Sequence, residues 1–187
     1  MFIQTEETPN PQTLKFLPDG ELVLENNTAD FKNQKQAATS SPLALQLFEI
    51  HGIEAVFFGR DFITITKKAD IEWQKIKAEI IAVIMDFFVS KKPIMFEKKS
   101  SQVVENDEDS DVVKQIKELI EVKVRPAVAM DGGDIIYRGF EDGIVKLELK
   151  GSCSGCPSST ITLKNGIENM LKHYVPEVIG VEQIFDD

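Results

Sequence analysis

The acidic stretch KKSSQVVENDEDSD, residues 98–111, is the feature that most limits how this chain can fold. It is polar and shows no hydrophobic periodicity, a composition typical of a flexible linker. Because each side holds only enough residues for a small domain, we expect two domains, residues 1–97 and residues 112–187. The alternative is an ordinary solvated loop in front of a helix that Asp111 caps.

Charge is distributed unevenly along the chain and excludes some partners. Of the net charge of −10, most falls in residues 101–187, with 17 Asp and Glu against 9 Lys and Arg. Binding to a nucleic-acid backbone or an anionic membrane surface requires clustered cations, so we expect neither partner. The longest apolar run, residues 80–89, is too short to span a bilayer and contains Asp86.

The first half predicts a compact α+β domain. Alternating apolar residues and turn signals predict strands at 2–7 and 13–18, and a β-hairpin of 54–59 and 62–68. A helix is expected after Ser41 and Pro42, ending near Gly52. A second helix is expected to open at Asp70, with its core face formed by Trp73, Ile76, Ile80, Val83 or Ile84, and Phe87. Nothing in this half has the residue constellation of a catalytic site.

The second half predicts the order α-β-β-α-β, a helical layer on a small sheet. Its first helix contains Ile116 and Ile120 and is kinked or ended at Arg125-Pro126. Two strands follow, joined through Asp142-Gly143, a strong hairpin signal. The last helix is expected to end before Pro176, with a core face formed by Leu163, Ile167, Met170 or Leu171, and Tyr174. A short strand at 180–185 completes the domain.

Both cysteines of the chain, Cys153 and Cys156, lie in GSCSGCPSS, where the second strand meets the last helix. Pro157 fits the first turn of that helix. The cysteines therefore precede a helix N-terminus, whose dipole and N–H groups stabilise thiolates. A CxxC motif in this setting indicates metal or redox chemistry before it indicates a structural bridge.

Three chemical interpretations compete for this motif. Thiol–disulfide exchange is one, although a thioredoxin-like fold needs more structure after the motif than this chain provides. A structural zinc site is another, but zinc requires four ligands, and the only histidines are His51, in the other domain, and His173, far along the last helix. The third is a cluster shared by two chains, in which two CxxC motifs supply four thiolates.

Two segments carry a resemblance to a known family. VRPAVAMDGGDI (124–135), followed by GSCSGCPSSTITLKNGIENMLKHYVPEV (151–178), resembles the C-terminal domain of NifU, the Nfu domain. MFIQTEETPNPQTLKFLP (1–18) resembles the N-terminal domain of two-domain Nfu proteins. The combination of DGGD, a hairpin and CxGC-P is far more specific than a bare CxxC, whereas the TPNP match indicates no chemistry.

The resemblance implies an iron–sulfur cluster scaffold or carrier and not an enzyme. Members hold a cluster, usually 4Fe–4S, between the CxxC motifs of two subunits, which places its ligands at Cys153 and Cys156. Four thiolates serve 2Fe–2S equally. The implied partners are an upstream assembly scaffold, apo-proteins that receive the cluster, and a second copy of the chain in a loaded homodimer. The cysteine-bearing scaffold domain and ferredoxin-like domain of full-length NifU have no counterpart here.

The N-terminus has no basic region and no Arg-rich stretch, so no signal or transit peptide is expected. Because two-domain members are bacterial or mitochondrial, the expected location is the bacterial cytoplasm, or the mitochondrion after processing.

Three further features leave two interpretations open. Asp131-Gly132-Gly133-Asp134 forms either a surface near the cluster or simply the turn that ends a helix. Met130 is a soft ligand or, more commonly, a core residue. Arg138 meets an acidic partner or is a solvated strand residue.

Overall fold

A computed structural model of the chain describes residues 2–25, 27–96, 109–154 and 157–185, without the side chains of 157–160. The chain divides into two compact units, residues 1–100 and residues 101–187. Both contain sheet and helices, so the predicted α+β class is confirmed. Residues 98–108 of the predicted linker lie outside the described residues, and the domain boundaries therefore stay a prediction. No described helix is long and apolar enough to cross a membrane.

Unit 1 is built on a five-stranded sheet in the order β1-β2-β5-β4-β3, with all neighbouring strands antiparallel. The predicted hairpin is formed by the pairing of the fourth and fifth strands. The strands are β1 (Ile3–Glu7), β2 (Thr13–Pro18), β3 (Ala29–Phe31), β4 (Ile53–Phe58) and β5 (Ile63–Lys67).

Three helices, α1 (Gln34–Ser40), α2 (Pro42–Glu49) and α3 (Trp73–Val89), complete unit 1. Ser41 caps α2 as predicted, since its hydroxyl accepts a hydrogen bond from the Ala44 N–H at 3.1 Å. The four-residue apolar period of α3 turns one face into the core, where Ile76, Ile80, Ile84 and Phe87 are buried.

Two predictions for unit 1 were wrong or incomplete. The third helix begins at Trp73 rather than Asp70, because the Ile71 N–H bonds to the Lys68 carbonyl at 3.2 Å and keeps Asp70 in a turn. The polar stretch before Ser41 contains β3 and α1, which no pattern in the sequence predicted. Asn33 caps α1 by accepting from the Gln36 N–H at 3.0 Å.

Unit 2 has the predicted α-β-β-α-β order. Its antiparallel pair continues through a crossover helix into a third strand that pairs parallel to the second. The elements are α4 (Asp111–Leu119), a π-helical turn (Ile120–Val124), α5 (Arg125–Met130), β6 (Gly133–Glu141), β7 (Ile144–Gly151), a 3₁₀ turn (Ser152–Ser154), α6 (Pro157–Tyr174) and β8 (Gly180–Ile184).

The π-helical turn lies at the predicted kink. Pro126 has no N–H to continue the α-helical bonding, and the Arg125 N–H bonds back five residues to the Ile120 carbonyl. Helical structure therefore continues without a break from α4 through the π-helical turn into α5. At its start, the cap is Ser110, whose hydroxyl accepts from the Val113 N–H at 3.4 Å, and Asp111 is the first helical residue.

The core of unit 2 lies between the sheet and the helices. Tyr174 is not part of it: its side chain is exposed, with the Lys123 ammonium 4.7 Å from the ring centroid. The predicted turn between β6 and β7 is confirmed, with positive φ angles at Asp142 (50°) and Gly143 (78°). The buried core residues include Ile116, Ile120, Val124, Val128, Ile135, Val145, Leu147, Leu149, Cys153, Ile167 and Leu171.

Glu168 connects α6 to β8 and makes unit 2 sensitive to pH. Its carboxylate accepts from Lys172 Nζ at 2.5 Å and from the Val181 N–H at 3.0 Å. The hydrogen bond from Lys172, followed by that from Val181, lowers the pKa of Glu168. A pKa that is lower in the folded than in the unfolded chain stabilises the fold above the unfolded pKa, and this contribution is lost as pH falls through the folded pKa.

We expect Glu168→Gln to lower the free energy of unfolding by about 0.5–1 kcal/mol at pH 7, because the amide keeps an acceptor but loses the charge. The difference from the parent chain should shrink as the pH falls through the lowered pKa of Glu168, and vanish at a second, acidic pH at which this carboxyl group is neutral in both the folded and the unfolded chain. Urea unfolding at the two pH values measures this, with Glu177→Gln as a control at an exposed carboxylate. A difference of equal size at both pH values contradicts it.

Candidate functional site around Cys153

Cys153 lies in the 3₁₀ turn that leads from β7 toward α6. The placement follows the sequence prediction, since the strand ends at Gly151 and the helix begins at Pro157. The side chain is only 4% exposed and packs with the core of unit 2. Cys156 and Gly155 lie outside the described residues, so the structure locates one of the two predicted ligands.

The turn that holds Cys153 is fastened to the turn between α5 and β6. The Ser152 hydroxyl donates to the Asp131 carbonyl, and the Ser152 N–H donates to the Gly132 carbonyl at 3.3 Å. Gly132 has a φ of 81°, which a glycine adopts without strain. Both interpretations of the DGGD segment are therefore compatible with its position, since it ends a helix and also supports the cysteine turn.

Gly133 lets the backbone of β6 approach Cys153 closely. A Cβ at this position would lie 2.5 Å from the Lys150 carbonyl oxygen and 3.0 Å from Cys153 Sγ. The first of these distances is far below van der Waals contact. Pairing of Gly133 with Gly151 at the end of β6 and β7 creates this proximity. Only a residue without a side chain fits between the strand and the thiol.

An ion pair between Arg125 and the buried Asp134 holds the turn between α5 and β6 on its β6 side. Arg125 donates to Asp134 through Nε (2.8 Å) and Nη2 (3.1 Å), and Asp134 Oδ1 also accepts from the Ile135 N–H at 2.8 Å. Asp134 is 4% exposed, and the hydrogen bond to it raises the pKa of Arg125 above its ordinary value. Glu121 accepts from Arg125 on the solvent side. The pair connects α5 to the first residues of β6.

We expect Arg125→Leu to lower the free energy of unfolding by about 2 kcal/mol, because it leaves the buried Asp134 carboxylate without its guanidinium. The cost is less than for a fully buried pair, since the Arg125 side chain is one third exposed and water can reach the carboxylate. Urea unfolding measures it, with Arg125→Lys as a control that keeps the charge but not the paired geometry. An Arg125→Leu variant as stable as the parent chain contradicts this role.

Other residues singled out from the sequence are not part of this arrangement. Met130 is 75% exposed, so the expectation that it belongs to the core was wrong. Arg138 is not simply solvated, because its Nε donates to the buried Glu148 at 2.7 Å. His51 and His173 are both exposed, as expected of ordinary surface histidines.

Sequence reasoning missed Arg125, Asp134 and Ser152 as supports of the cysteine turn. Arg125 was interpreted only as part of a helix break, and Asp134 only as part of a motif. The available signal was Asp134 itself, a carboxylate directly before the apolar pair Ile135-Ile136, where burial demands a cationic partner. No comparable signal marks Ser152, since its bond to Asp131 depends on the fold.

The arrangement presents one buried thiol in a short turn before a helix N-terminus. In the residues that the structure describes, no group of three or more His, Cys, Asp or Glu could hold a metal ion. The whole chain contains two cysteines, and both belong to this loop. One chain can therefore offer at most two thiolates here, half of the set that an iron–sulfur cluster takes.

Comparison with known proteins gives two matches to protein families. Residues 3–92 match the family described as scaffold protein Nfu/NifU N terminal, and residues 116–182 match the NifU-like domain. The two matches correspond to the two segments in which the sequence resemblance was found.

Individual relatives align with the whole chain. The chain is 57% identical to the human NFU1 iron-sulfur cluster scaffold homolog, mitochondrial, and spans 73% of that protein. It is 54% identical to the protein of the same name from Drosophila persimilis and spans 66% of it. Among solved structures, a solution structure of a NifU-like protein from Saccharomyces cerevisiae is 30% identical. That match has a TM-score of 0.47 and covers 52% of this chain and 87% of the other.

Proposed function

The chain belongs to the Nfu/NifU family of scaffold proteins, and from that premise we propose that it carries an iron–sulfur cluster and delivers it to apo-proteins. The cluster is cargo, not a resident cofactor, and the chain is a carrier without catalytic activity of its own. The observation that carries the proposal is the position of Cys153 in a short turn before a helix N-terminus, in a chain whose only other cysteine lies three residues further on.

Two chains are needed to complete the ligand set. We propose that Cys153 and Cys156 of one copy and the same pair of a second copy bind one 4Fe–4S cluster. The same four thiolates would also bind a 2Fe–2S cluster, which a content of about two irons per two chains would indicate. The histidines do not supply an alternative, since His173 lies at the far end of α6 and His51 belongs to unit 1.

The burial of Cys153 bears on how a cluster enters. A thiol that is 4% exposed must move toward solvent before it can bind iron shared with another chain. The turn at 152–154 is a single 3₁₀ turn, and local opening of so short an element costs far less than global unfolding. We therefore infer that the turn opens locally when the cluster is accepted or released, which a carrier requires.

Transfer itself requires no redox step in this proposal. The thiolates of a receiving apo-protein replace those of Cys153 and Cys156, and the cluster passes with its irons and sulfides unchanged. The upstream donor is an assembly scaffold that loads the cluster by the reverse exchange.

The two units are proposed to be independent domains with separate roles, divided at 98–111. Unit 2 binds the cluster and unit 1 positions the receiving proteins. Expression of residues 110–187 alone tests the division: a cooperatively folded fragment that binds iron supports it, and an unfolded or iron-free fragment contradicts it. If deleting residues 1–97 leaves transfer to every receiving protein unchanged, unit 1 does not position them.

The location proposed is the mitochondrion. Relatives that align with the whole chain are named as mitochondrial proteins, whereas the bacterial cytoplasm, the other expected location, finds no support among them. Fractionation of cells that express the protein tests this assignment.

Anaerobic reconstitution with iron and sulfide tests the function. We expect about four irons and four sulfides per two chains, thiolate-to-iron absorption, and a doubled molecular mass in the same chromatographic peak. A colourless monomer that binds no iron but cycles between dithiol and disulfide would assign the motif to redox exchange instead. A colourless chain that binds one zinc ion would assign it to a structural site.

A further inference from the structure

The turn Thr8-Pro9-Asn10-Pro11, which joins β1 to β2, has no part in the proposed cluster site. Its polar groups bond within the turn: the Thr8 hydroxyl accepts from the Asn10 N–H at 3.2 Å, and Asn10 Oδ1 accepts from the Gln12 N–H at 3.0 Å. The two prolines have no N–H to satisfy and fix their own φ angles. The turn is therefore rigid before any ligand arrives.

Trp73, the first residue of α3, forms a wall beside this turn. Its indole Nε1 donates to the Pro11 carbonyl at 3.2 Å, and the Lys67 ammonium lies 5.7 Å from the ring centroid. The polar edge of the indole is thus already used within the protein. What it offers to a ligand is apolar ring surface held in one orientation.

A cavity of about 420 Å³ lies between the turn and α3. This volume falls within the range of about 300–1,000 Å³ that is usual for binding pockets. Two opposite charges, Glu7 and Lys77, contribute to its walls, and its apolar lining includes Pro9, Pro11 and Trp73. Such a lining suits an apolar side chain attached to a polar main chain.

The edge strand β1 borders this cavity. β1 is the first strand in the sheet order, and among the described residues it pairs only with β2, which leaves the main-chain groups of its other edge available to a partner strand. Its last residue, Glu7, is also part of the cavity wall. An extended segment that pairs with this edge would place one of its side chains in the cavity, since side chains of a strand alternate between faces.

The negative charge of β1 favours a partner segment that carries a cation. β1 contains Glu6 and Glu7 and no cation; Glu6 pairs with Lys15 at 3.4 Å, whereas Glu7 is exposed. Two such edges repel each other, which disfavours pairing with a second copy of this chain. A segment with Lys or Arg opposite Glu7 is attracted instead.

We propose that the β1 edge and the cavity beside Trp73 form a docking site for an extended, cationic segment of a partner protein, which adds a strand to the sheet and inserts one apolar side chain. The inference rests on the proposed function only in taking the partner to be a receiving apo-protein. Docking itself requires no cluster.

Fluorescence anisotropy with the full-length apo chain tests docking. The probes are two labelled octapeptides of alternating Thr and Val with one Lys, which differ only in a central Leu or Ser. We expect the Leu peptide to bind at least about ten-fold more tightly, because its side chain leaves water for the cavity. Amide chemical shifts should change at residues 3–7 and at the Trp73 indole.

Two matched variants locate the site. Gln74→Trp fills the cavity from an exposed position on α3 and should weaken binding of the Leu peptide at least about ten-fold. Glu79→Trp adds the same side chain at an exposed position of α3 that is not part of the lining, and should bind like the parent chain. Both variants are checked for unchanged thermal unfolding.

The proposal would be overturned if the Leu peptide did not bind, or if the Leu and Ser peptides bound equally. It would also be overturned if Gln74→Trp bound the Leu peptide as tightly as the parent chain, or if the chemical-shift changes were confined to other strands. So would a peptide-free dimer that Gln74→Trp dissociates, since the occupant would then be a second copy. A Cys153→Ala chain should bind the Leu peptide normally, so that loss of cluster binding and loss of docking are separate results.

Discussion

Cys153→Ala and Cys156→Ala are each expected to abolish cluster binding, with iron and sulfide falling from about four per two chains to background after anaerobic reconstitution. In the proposed dimer two chains provide four thiolates, and each substitution removes two of them at once because a two-fold axis repeats it in both copies. Two remaining thiolates cannot complete the coordination of a cluster that takes four cysteines. The molecular mass should therefore stay that of a monomer under conditions in which the parent chain forms a loaded dimer.

The apo variants must remain folded for this result to be informative. Cys153 is buried, so loss of its sulfur leaves a small cavity, and we expect a cost of about 1 kcal/mol in the free energy of unfolding. Cys153→Ser keeps the volume of the side chain more closely and should give the same loss of iron. Ser154→Ala is the matched control in the same turn; it removes only a hydroxyl that donates to the Gly151 carbonyl at 3.0 Å. A single Cys variant that retains full iron and sulfide would overturn the ligand assignment.

Local patterns predicted those parts of the fold that local forces determine. Ser41-Pro42 contains its own cap and first turn, and Asp142-Gly143 contains the positive φ angles that a tight hairpin requires. By contrast, β3 and α1 are short and mostly polar, so periodicity gave no signal for them. One signal for the start of α1 was available. Asn is a favoured N-cap residue, and the side chain of Asn33 reaches the N–H of Gln36, the third residue of the helix.

The place of Cys153 in the fold was predictable from the sequence, whereas the residues that support its turn were not. Cys153 was identified by residue type and by its place between a strand and a helix. The contact of Gly133 with Cys153, in contrast, joins residues twenty positions apart and arises only when β6 pairs with β7 in the observed register. The bond from Ser152 to Asp131 likewise requires two turns to meet, and no spacing rule within either turn anticipates it.

Gly133→Ala is expected to lower the free energy of unfolding by about 3 kcal/mol and to reduce cluster binding at the same time. The added methyl group would lie 2.5 Å from the Lys150 carbonyl, which is main chain and cannot rotate away, and 3.0 Å from Cys153 Sγ. Relief requires β6 and β7 to separate or the cysteine turn to shift, and strain of this kind costs about 1–3 kcal/mol, the upper end applying where backbone must move.

Gly139→Ala is the matched control, since it makes the same substitution in the same strand, where no atom of the described residues beyond its two chain neighbours lies within 4 Å of the added carbon. We expect it to change the free energy of unfolding by less than about 0.5 kcal/mol and to leave iron binding intact.

Urea unfolding and iron analysis of both variants separate the two effects of Gly133→Ala. If it binds iron normally but is destabilised, the close approach serves only the packing of the strands. If it is stable but loses iron, the glycine serves chiefly to position the thiol. A Gly133→Ala chain that matches Gly139→Ala in both measurements would show that the turn yields freely, and that β6 does not hold Cys153 in place.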